Sequence, residues 1–481
     1  MFFSVFIIAA LLGSILGYFY VGEGMNLWYM SLCSIAMGGV SCLFAARMHR
    51  KHQRWGYLSG SALFVLGFWI VHFFYAALLV FYEDIQHQPG LWLFPDIGNY
   101  SILVATIAFS LFFLGYLSLA EKRPQKKVTK VLIPSRESLS RLLFVAPVIS
   151  VINFGLFIFV VGPTYLSGAY AGSGNWGAGA TYFFLFFELF FYLTLILEVY
   201  KIRLIGGQSG VLQYALSFNW LTLLFLGCFI IFNLYIGDRG PVITATCILV
   251  GGYDVFIKRF KLITVIAVLL LGVITMTYIS NYRTRDAGAS LQERIEDAKY
   301  KLEEKKWYHA PGELGTNVRT LNAGIAFSQS DGHWYGKFQA VHILGVVPLA
   351  KGVVAYTFKM PFGWTSSSYM TVMINGSRGV GVGTTPVADV YLDFGLLGVM
   401  ILFPILGRIF AWIECRAFAT QGVYAFVAYM WILSEALYWP RAVFLHNINE
   451  IVWALGLLWL ANKILLRVKY TNEPELVRPF F

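Results

Sequence analysis

The chain has 481 residues, 58% of them apolar and 13% charged, and a formal net charge of +11. Soluble globular domains carry about a quarter charged residues, which excludes an ordinary soluble fold and points to an all-α, polytopic integral membrane protein. Apolar runs of about 20 residues suffice to cross a hydrocarbon core of ~30 Å. They occur at 2–21, 27–46, 56–82, 99–120, 142–162, 180–200, 212–236, 241–257, 262–280, 385–407, 421–439 and 443–465. About twelve spans are therefore expected, with a large loop between the ninth and the tenth. The first run begins without a positive leading segment and lacks a small-residue cleavage site, so it reads as a retained span and not a removed signal peptide.

Lysine and arginine collect on the cytoplasmic side of short loops, and here they alternate with the spans. Arg47, Arg50, Lys51 and Arg54 follow the second span; Lys122, Arg123, Lys126, Lys127 and Lys130 follow the fourth; Lys201 and Arg203 follow the sixth; Lys258, Arg259 and Lys261 follow the eighth. Arg408 and Arg416 flank the end of the tenth, and Lys463, Arg467 and Lys469 follow the twelfth. Both termini are thus assigned to the cytoplasm of a bacterial-type cytoplasmic (inner) membrane. The positive charge is a topology signal, and nucleic-acid binding is not implied. Cys33, Cys42, Cys228, Cys247 and Cys415 lie in spans or at a cytoplasmic edge, which supports neither disulfides nor a CxxC metal site. There is no HExxH, no Walker-type lysine loop and no fixed-period repeat, so a zinc protease, an ATPase and a solenoid are disfavoured.

Three units follow: nine spans over 1–280, an external segment over 281–383, and three spans with a cytoplasmic tail over 384–481. The external segment is the expected seat of chemistry, because loops of this length are usually functional. Ser290 and Glu293 have the spacing of a capping box, and Leu291, Ile295, Ala298 and Leu302 fall at helical spacing, with the surrounding charges expected on a solvated face. The apolar stretch Val341–Phe358 approaches the length of a span, but a crossing there would invert every later loop. An interfacial or re-entrant helix is expected instead. The segment closes on Asn375-Gly-Ser-Arg378-Gly-Val-Gly-Val-Gly383-Thr-Thr-Pro386, whose glycines expose backbone N–H groups at the start of a helix, a pattern suited either to phosphate oxygens or to a flexible connector.

Six arginines escape the cytoplasmic bias: Arg239, Arg283, Arg285, Arg319, Arg378 and Arg441. Gly237-Asp238-Arg239-Gly240-Pro241 is a very short turn that holds Arg239 at the membrane surface; Arg283 and Arg285 emerge after the ninth span and Arg441 after the eleventh. A planar guanidinium grips phosphate bidentately, so Arg239, Arg283, Arg285, Arg378 and Arg441 are candidates for binding a phosphate-bearing anion. The alternative for each is snorkelling or pairing with a nearby acid. Asp389 and Asp393 stand four apart on one helix face, where Asp389 could deprotonate a hydroxyl or pair with an arginine. Glu435, His446 and Glu450 surround Arg441, as a structural network or with His446 as a base. His309, His333 and His342 are external and otherwise unranked. Trp307, Tyr308, Trp334, Tyr335 and Trp364 suit sugar rings, or packing.

The turn at 237–241, the long external loop late in the chain, and Gly383-Thr-Thr-Pro-Val-Ala-Asp-Val-Tyr-Leu-Asp-Phe-Gly-Leu-Leu-Gly-Val399 opening the next span resemble the bacterial oligosaccharide repeat-unit polymerases of the O-antigen polymerase, or Wzy-type, family. The arginine-glycine repeats described for some members are not clearly present. The resemblance implies a membrane glycosyltransferase of the broad GT-C type that acts externally on undecaprenyl-pyrophosphate-linked oligosaccharide, building O-antigen, capsule or exopolysaccharide. It implies Arg239 and Arg378 on the pyrophosphate with Arg283, Arg285 and Arg441 in support, and Asp389 or His446 as base. With no Asp-x-Asp motif or metal cluster in the sequence, no cofactor is expected. Membrane lipids, a chain-length-regulating co-polymerase and a flippase are the implied partners. A ligase that moves the same glycan to another acceptor, or a transporter of the lipid-linked unit, remains the alternative. A transporter would be expected to carry internal symmetry and midplane charges.

Overall fold

The computed structural model describes residues 2–51, 55–88, 90–121, 130–162, 179–206, 210–282, 291–303, 306–309, 312–348, 350–360, 365–376, 381–464 and 470–472. Every apolar run read from the sequence contains helix. In chain order these are α1 (Phe2–Val21), α2 (Leu27–Lys51), α3 and α4 (Gly60–His72 and Phe74–Leu78), then the short α5 (Glu83–Gln86) and α6 (Gly98–Ala120). Next come α7 (Arg136–Val161), α8 (Ala180–Ile205), α9 (Val211–Leu216), α10 (Trp220–Ile236), α11 (Gly240–Thr246) and α12 (Leu262–Tyr282). Beyond α11 the helix continues in π-helical turns to Ile257. Among the described residues, eight helical stretches are long and apolar enough to cross a membrane, and α3, α10 and α20 (Val423–Glu435) are shorter apolar helices. With the 17-residue α21 (Ile448–Ile464), they account for all twelve runs.

The large loop folds into a helical cap at one end of the bundle: α13 (Leu291–Glu303), α14 (Gly312–Gly315), α15 (Val318–Asp331), α16 (Lys337–Leu344), α17 (Ala350–Thr357) and α18 (Ser366–Asn375). At eight residues each, α16 and α17 reach only about 12 Å, far short of a crossing. Side chains sew this cap to the spans. Asn322 of α15 accepts from Phe94 N (2.7 Å) and donates to Phe94 O (2.9 Å), just before α6. Trp453 of α21 donates to Val346 O (2.7 Å) between α16 and α17. Asp84 of α5 accepts from Lys306 (2.9 Å) and from Tyr308.

The sequence expectation for α13 needs one correction. Ile295 is exposed, whereas Arg294 and Ala298 are buried, with the Arg294 guanidinium 5.8 Å from the Tyr235 ring at the end of α10. The arginine stem packs as an apolar group and its head finds an aromatic face, which a count of aliphatic spacings cannot register. Ser290 lies outside the described residues.

The central packing is between α6 and α19 (Pro386–Ala419). A Cβ on Gly115 would sit 2.1 Å from Pro404 O, and one on Gly407 would sit 2.2 Å from Phe112 O, so both glycines are spent on bringing the two backbones together. Residues 386–393 of α19 are buried all round; an exposed apolar stripe begins only at Phe394 and continues through Leu397, Met400, Ile401, Ile405, Ile409 and Trp412. The exposed Arg408 interrupts that stripe between Ile405 and Ile409, so its uninterrupted apolar part, Phe394 to Ile405, spans about 17 Å of helix. The exposed apolar part of the tenth span therefore starts later than 385, because its first two turns are roofed by α15, α16 and α18.

Gly395, at φ 62° and ψ −158°, breaks the ladder of α19 at this boundary. The freed Leu392 and Asp393 carbonyls accept from Trp334 N and Tyr335 N, both at 2.9 Å. Such backbone groups would be costly unpaired, and irregular chain at this depth is tolerated only where protein covers it. At the opposite end of the bundle, β1 (Lys130–Leu132) and β2 (Tyr470–Asn472) pair antiparallel. They place the chain after α6 and the tail after α21 on one side of the membrane.

Candidate active site at the capped end

The residues expected to carry chemistry are best followed from the α10–α11 turn. Gly237 ends α10 at φ 81°, and Asp238 Oδ1 accepts from Gly240 N (3.2 Å), so the turn is closed by its own acid and Arg239 stands half-buried at the start of α11. One helical turn into α11, Thr244 Oγ1 donates to Glu435 Oε1 (2.9 Å) at the end of α20. The second Glu435 oxygen lies 3.2 Å from His446 Nε2 and shares a hydrogen bond with it. Between Glu435 and His446 a single 3₁₀ turn, Trp439–Arg441, carries Arg441, whose guanidinium lies 5.3 Å from the Tyr438 ring.

Two further helices bring acids to the same place. Glu450, in the first turn of α21, accepts from Trp431 Nε1 (3.3 Å). Glu188 of α8 interacts through space with Glu450, Asp238 and Glu435. Residues of α8, α20 and α21 and of the α10–α11 turn thus share one polar zone, in which Glu188 is coupled to Glu450, Asp238 and Glu435, and Glu435 meets His446.

The cap closes this zone from the α19 side. Asp389, wholly buried, accepts through Oδ2 from Gln339 Nε2 (2.7 Å) and from Phe444 N (2.8 Å). Asp393 accepts from Phe338 N (3.2 Å) and Gln339 N (2.9 Å), which caps the free N–H groups at the start of α16 from another helix. The two carboxylates do share the face that their spacing implied, and it is turned to α16. A Cβ on Gly383 would lie 3.5 Å from Asn317 Oδ1 and 3.8 Å from Arg441 O. The described end of the Gly-rich loop therefore rests on the Arg441 turn.

Of the seven residues expected at the site, Arg239, Arg441, Asp389 and His446 are brought to this end of the bundle. Arg283, Arg285 and Arg378 lie outside the described residues. Arg319 is half-buried on α15, two residues beyond Asn317. His309 stacks edge-on against Tyr308, and a Cβ at Gly395 would lie 2.8 Å from His333 Nε2. His342, on α16 one turn after Gln339, is pulled below the usual imidazole range chiefly by burial; Asp389 opposes that shift, and Lys351 and His446 add to it. Lys351 is itself pushed below its ordinary value by burial.

Sequence reasoning passed over Glu188 and Gln339. For Glu188 the signal was present, since an ionisable residue inside an apolar span is a functional candidate by default. Gln339 had none, because its importance comes from the Asp389 it meets across the fold. Among the described residues, no group of three or more His, Cys, Asp or Glu side chains is arranged to hold a metal ion.

The family model described as O-antigen polysaccharide polymerase Wzy matches residues 1–471. The chain belongs to that family. The likeness seen in the Gly-Asp-Arg-Gly-Pro turn and the loop–span junction at 383–399 is thereby borne out across nearly the whole length. As a Wzy-family member it is a multi-pass inner-membrane protein of O-antigen repeat-unit polymerisation, acting on lipid-linked oligosaccharide. Neither a curated protein nor a solved structure shows significant similarity to it.

Proposed function

We propose that the capped end faces outward from the cytoplasmic membrane and transfers a growing glycan from undecaprenyl pyrophosphate to the terminal sugar hydroxyl of an incoming lipid-linked repeat unit. The acceptor oxygen bonds to the anomeric carbon while the bond from that carbon to the diphosphate breaks, and undecaprenyl pyrophosphate departs with the electron pair. Charge develops on the leaving diphosphate, so fixed cations aimed at it lower the barrier. Arg239 and Arg441 supply that charge from two helix ends; Arg283, Arg285 and Arg378 join them by sequence position. Asp389 and His446 belong to the group of residues that handles the acceptor proton.

The observation that carries this reading is the convergence of Arg239, of Glu435, Arg441 and His446, and of Asp389 from three separated stretches onto one capped zone. Arginines that merely snorkel have no reason to stand on the turns that flank a buried Glu435–His446 pair. The test is deletion of the chain's gene, read by gel banding of surface polysaccharide. Collapse of the ladder to single-repeat products supports polymerisation. Intact long chains left on the carrier lipid would mean a ligase, and lipid-linked units trapped on the cytoplasmic leaflet would mean a transporter; either overturns the proposal.

A further inference from the structure

Glu435 is held from both sides. Its Oε1 accepts from Thr244 Oγ1 at 2.9 Å, and its Oε2 lies 3.2 Å from His446 Nε2. The three side chains come from α11, from the end of α20 and from the turn before α21, so the row exists only in the folded bundle. A carboxylate accepts at both oxygens, which places the ring proton on Nε2 and leaves the Nδ1 lone pair unused. That nitrogen is not enclosed. The His446 side chain keeps 17% of its surface exposed, and among the described residues no hydrogen bond reaches Nδ1.

The backbone around the ring is fixed as well. Trp439 meets the imidazole with ring centres 6.1 Å apart and donates through its indole to Phe444 O (3.0 Å), while the Phe444 amide is held by Asp389. Directly after His446, Asn447 stands at φ 51°, a left-handed conformation that costs a non-glycine residue energy and that asparagine tolerates better than most. The next residue opens α21, with Ile451 N on Asn447 O (3.1 Å). A turn pinned by Trp439, Asp389 and Glu435 holds one ring in one pose.

Resting on the glycosyl-transfer reading above, we propose that Glu435 is a positioning residue of the reaction, backed by Thr244, and that it presents His446 Nδ1 as the base. As the acceptor oxygen bonds to the anomeric carbon and the diphosphate leaves with its electron pair, the hydroxyl proton passes to Nδ1. The Glu435 carboxylate offsets the charge of the imidazolium so formed, as a buried acid does behind a catalytic histidine. The ring then returns the proton to water.

The experiment is a double-mutant cycle on the full-length protein in proteoliposomes with lipid-linked repeat unit. His446→Ala is expected to slow extension by ~10²-fold or more, the usual worth of a general base. Glu435→Ala should lose most of the same factor in kcat, with KM for the lipid-linked unit nearly unchanged. Because Glu435 acts through the ring, combining the two should cost no more than His446→Ala alone, since residues that work as a unit are not additive. A carboxylate that merely braces the bundle would instead exact its full factor in either background, and that result overturns the assignment, as does a wild-type rate in Glu435→Ala. If Glu435→Ala fails to run as a monodisperse species, Thr244→Val decides: it removes the donor behind Glu435 at nearly constant shape, and should lower kcat in the wild-type background and not beside His446→Ala. Wild-type protein that makes no product longer than one repeat would sink the polymerase reading and this assignment with it; normal wild-type extension with independent variant effects would sink the assignment alone.

Discussion

At the scale of single residues, the charged groups divide by what holds them. Arg239 and Arg441 sit on short, closed turns, so their backbones are fixed before any ligand arrives. Replacing either with alanine is expected to cut chain extension by about 10²–10³, the cost of losing one preorganised donor to developing charge, while abundance in the membrane stays near normal. Lysine should restore little of it, since a point charge cannot reproduce a bidentate fork. Polymer length on gels, with protein level read in parallel, checks this. Asp84 is a different case. The Tyr308 hydroxyl, and then Lys306, hold its carboxyl below the usual range. Stability from such a group is present above its unfolded pKa and is lost as pH falls through the folded one. The 306–309 segment should therefore loosen on α5 below about pH 4, and Asp84→Asn should flatten that dependence. Hydrogen exchange at 306–309 across pH is the measurement.

Individual elements show where sequence reading stops. The order and approximate limits of the apolar helices were legible because about 20 consecutive apolar residues have few alternatives to crossing a bilayer. The break at Gly395 was not, since a lone glycine in an apolar run says nothing until Trp334 and Tyr335 arrive to take the freed carbonyls. Arg294 was assigned to solvent for a similar reason, its partner Tyr235 being on another helix. The site was legible in part: Arg239 and Arg441 announced themselves by standing at span ends against the charge rule, whereas Gln339 and the Phe444 amide acquire meaning only through Asp389. Gly395→Ala should cost ~1–3 kcal/mol of backbone strain, besides crowding His333. It is expected to lower the thermal midpoint in detergent, measured by size-exclusion after heating. Gly272→Ala, on α12 with nothing near the added methyl, should leave the midpoint unchanged.

For the whole molecule, the β1–β2 pairing requires an even number of crossings between residues 132 and 470, in agreement with eight apolar runs and with a cap that does not itself traverse. The orientation can then be read from two positions. Cysteine at Tyr300 should react with an impermeant thiol reagent added from outside, and cysteine at Gln125 should not; the reverse pattern would turn the protein over. One consequence of the roofed start of α19 concerns height. Asp389 precedes the first lipid-facing residue, Phe394, by at most about 7.5 Å of helix. The polar layer on each face of a bilayer is of similar depth, about 5–8 Å. On the glycosyl-transfer reading proposed above, the helix would work as a gauge that sets Asp389 level with the phosphates of neighbouring phospholipids. A polyprenyl carrier floating in the leaflet would present its diphosphate at that altitude without being lifted out or pulled in.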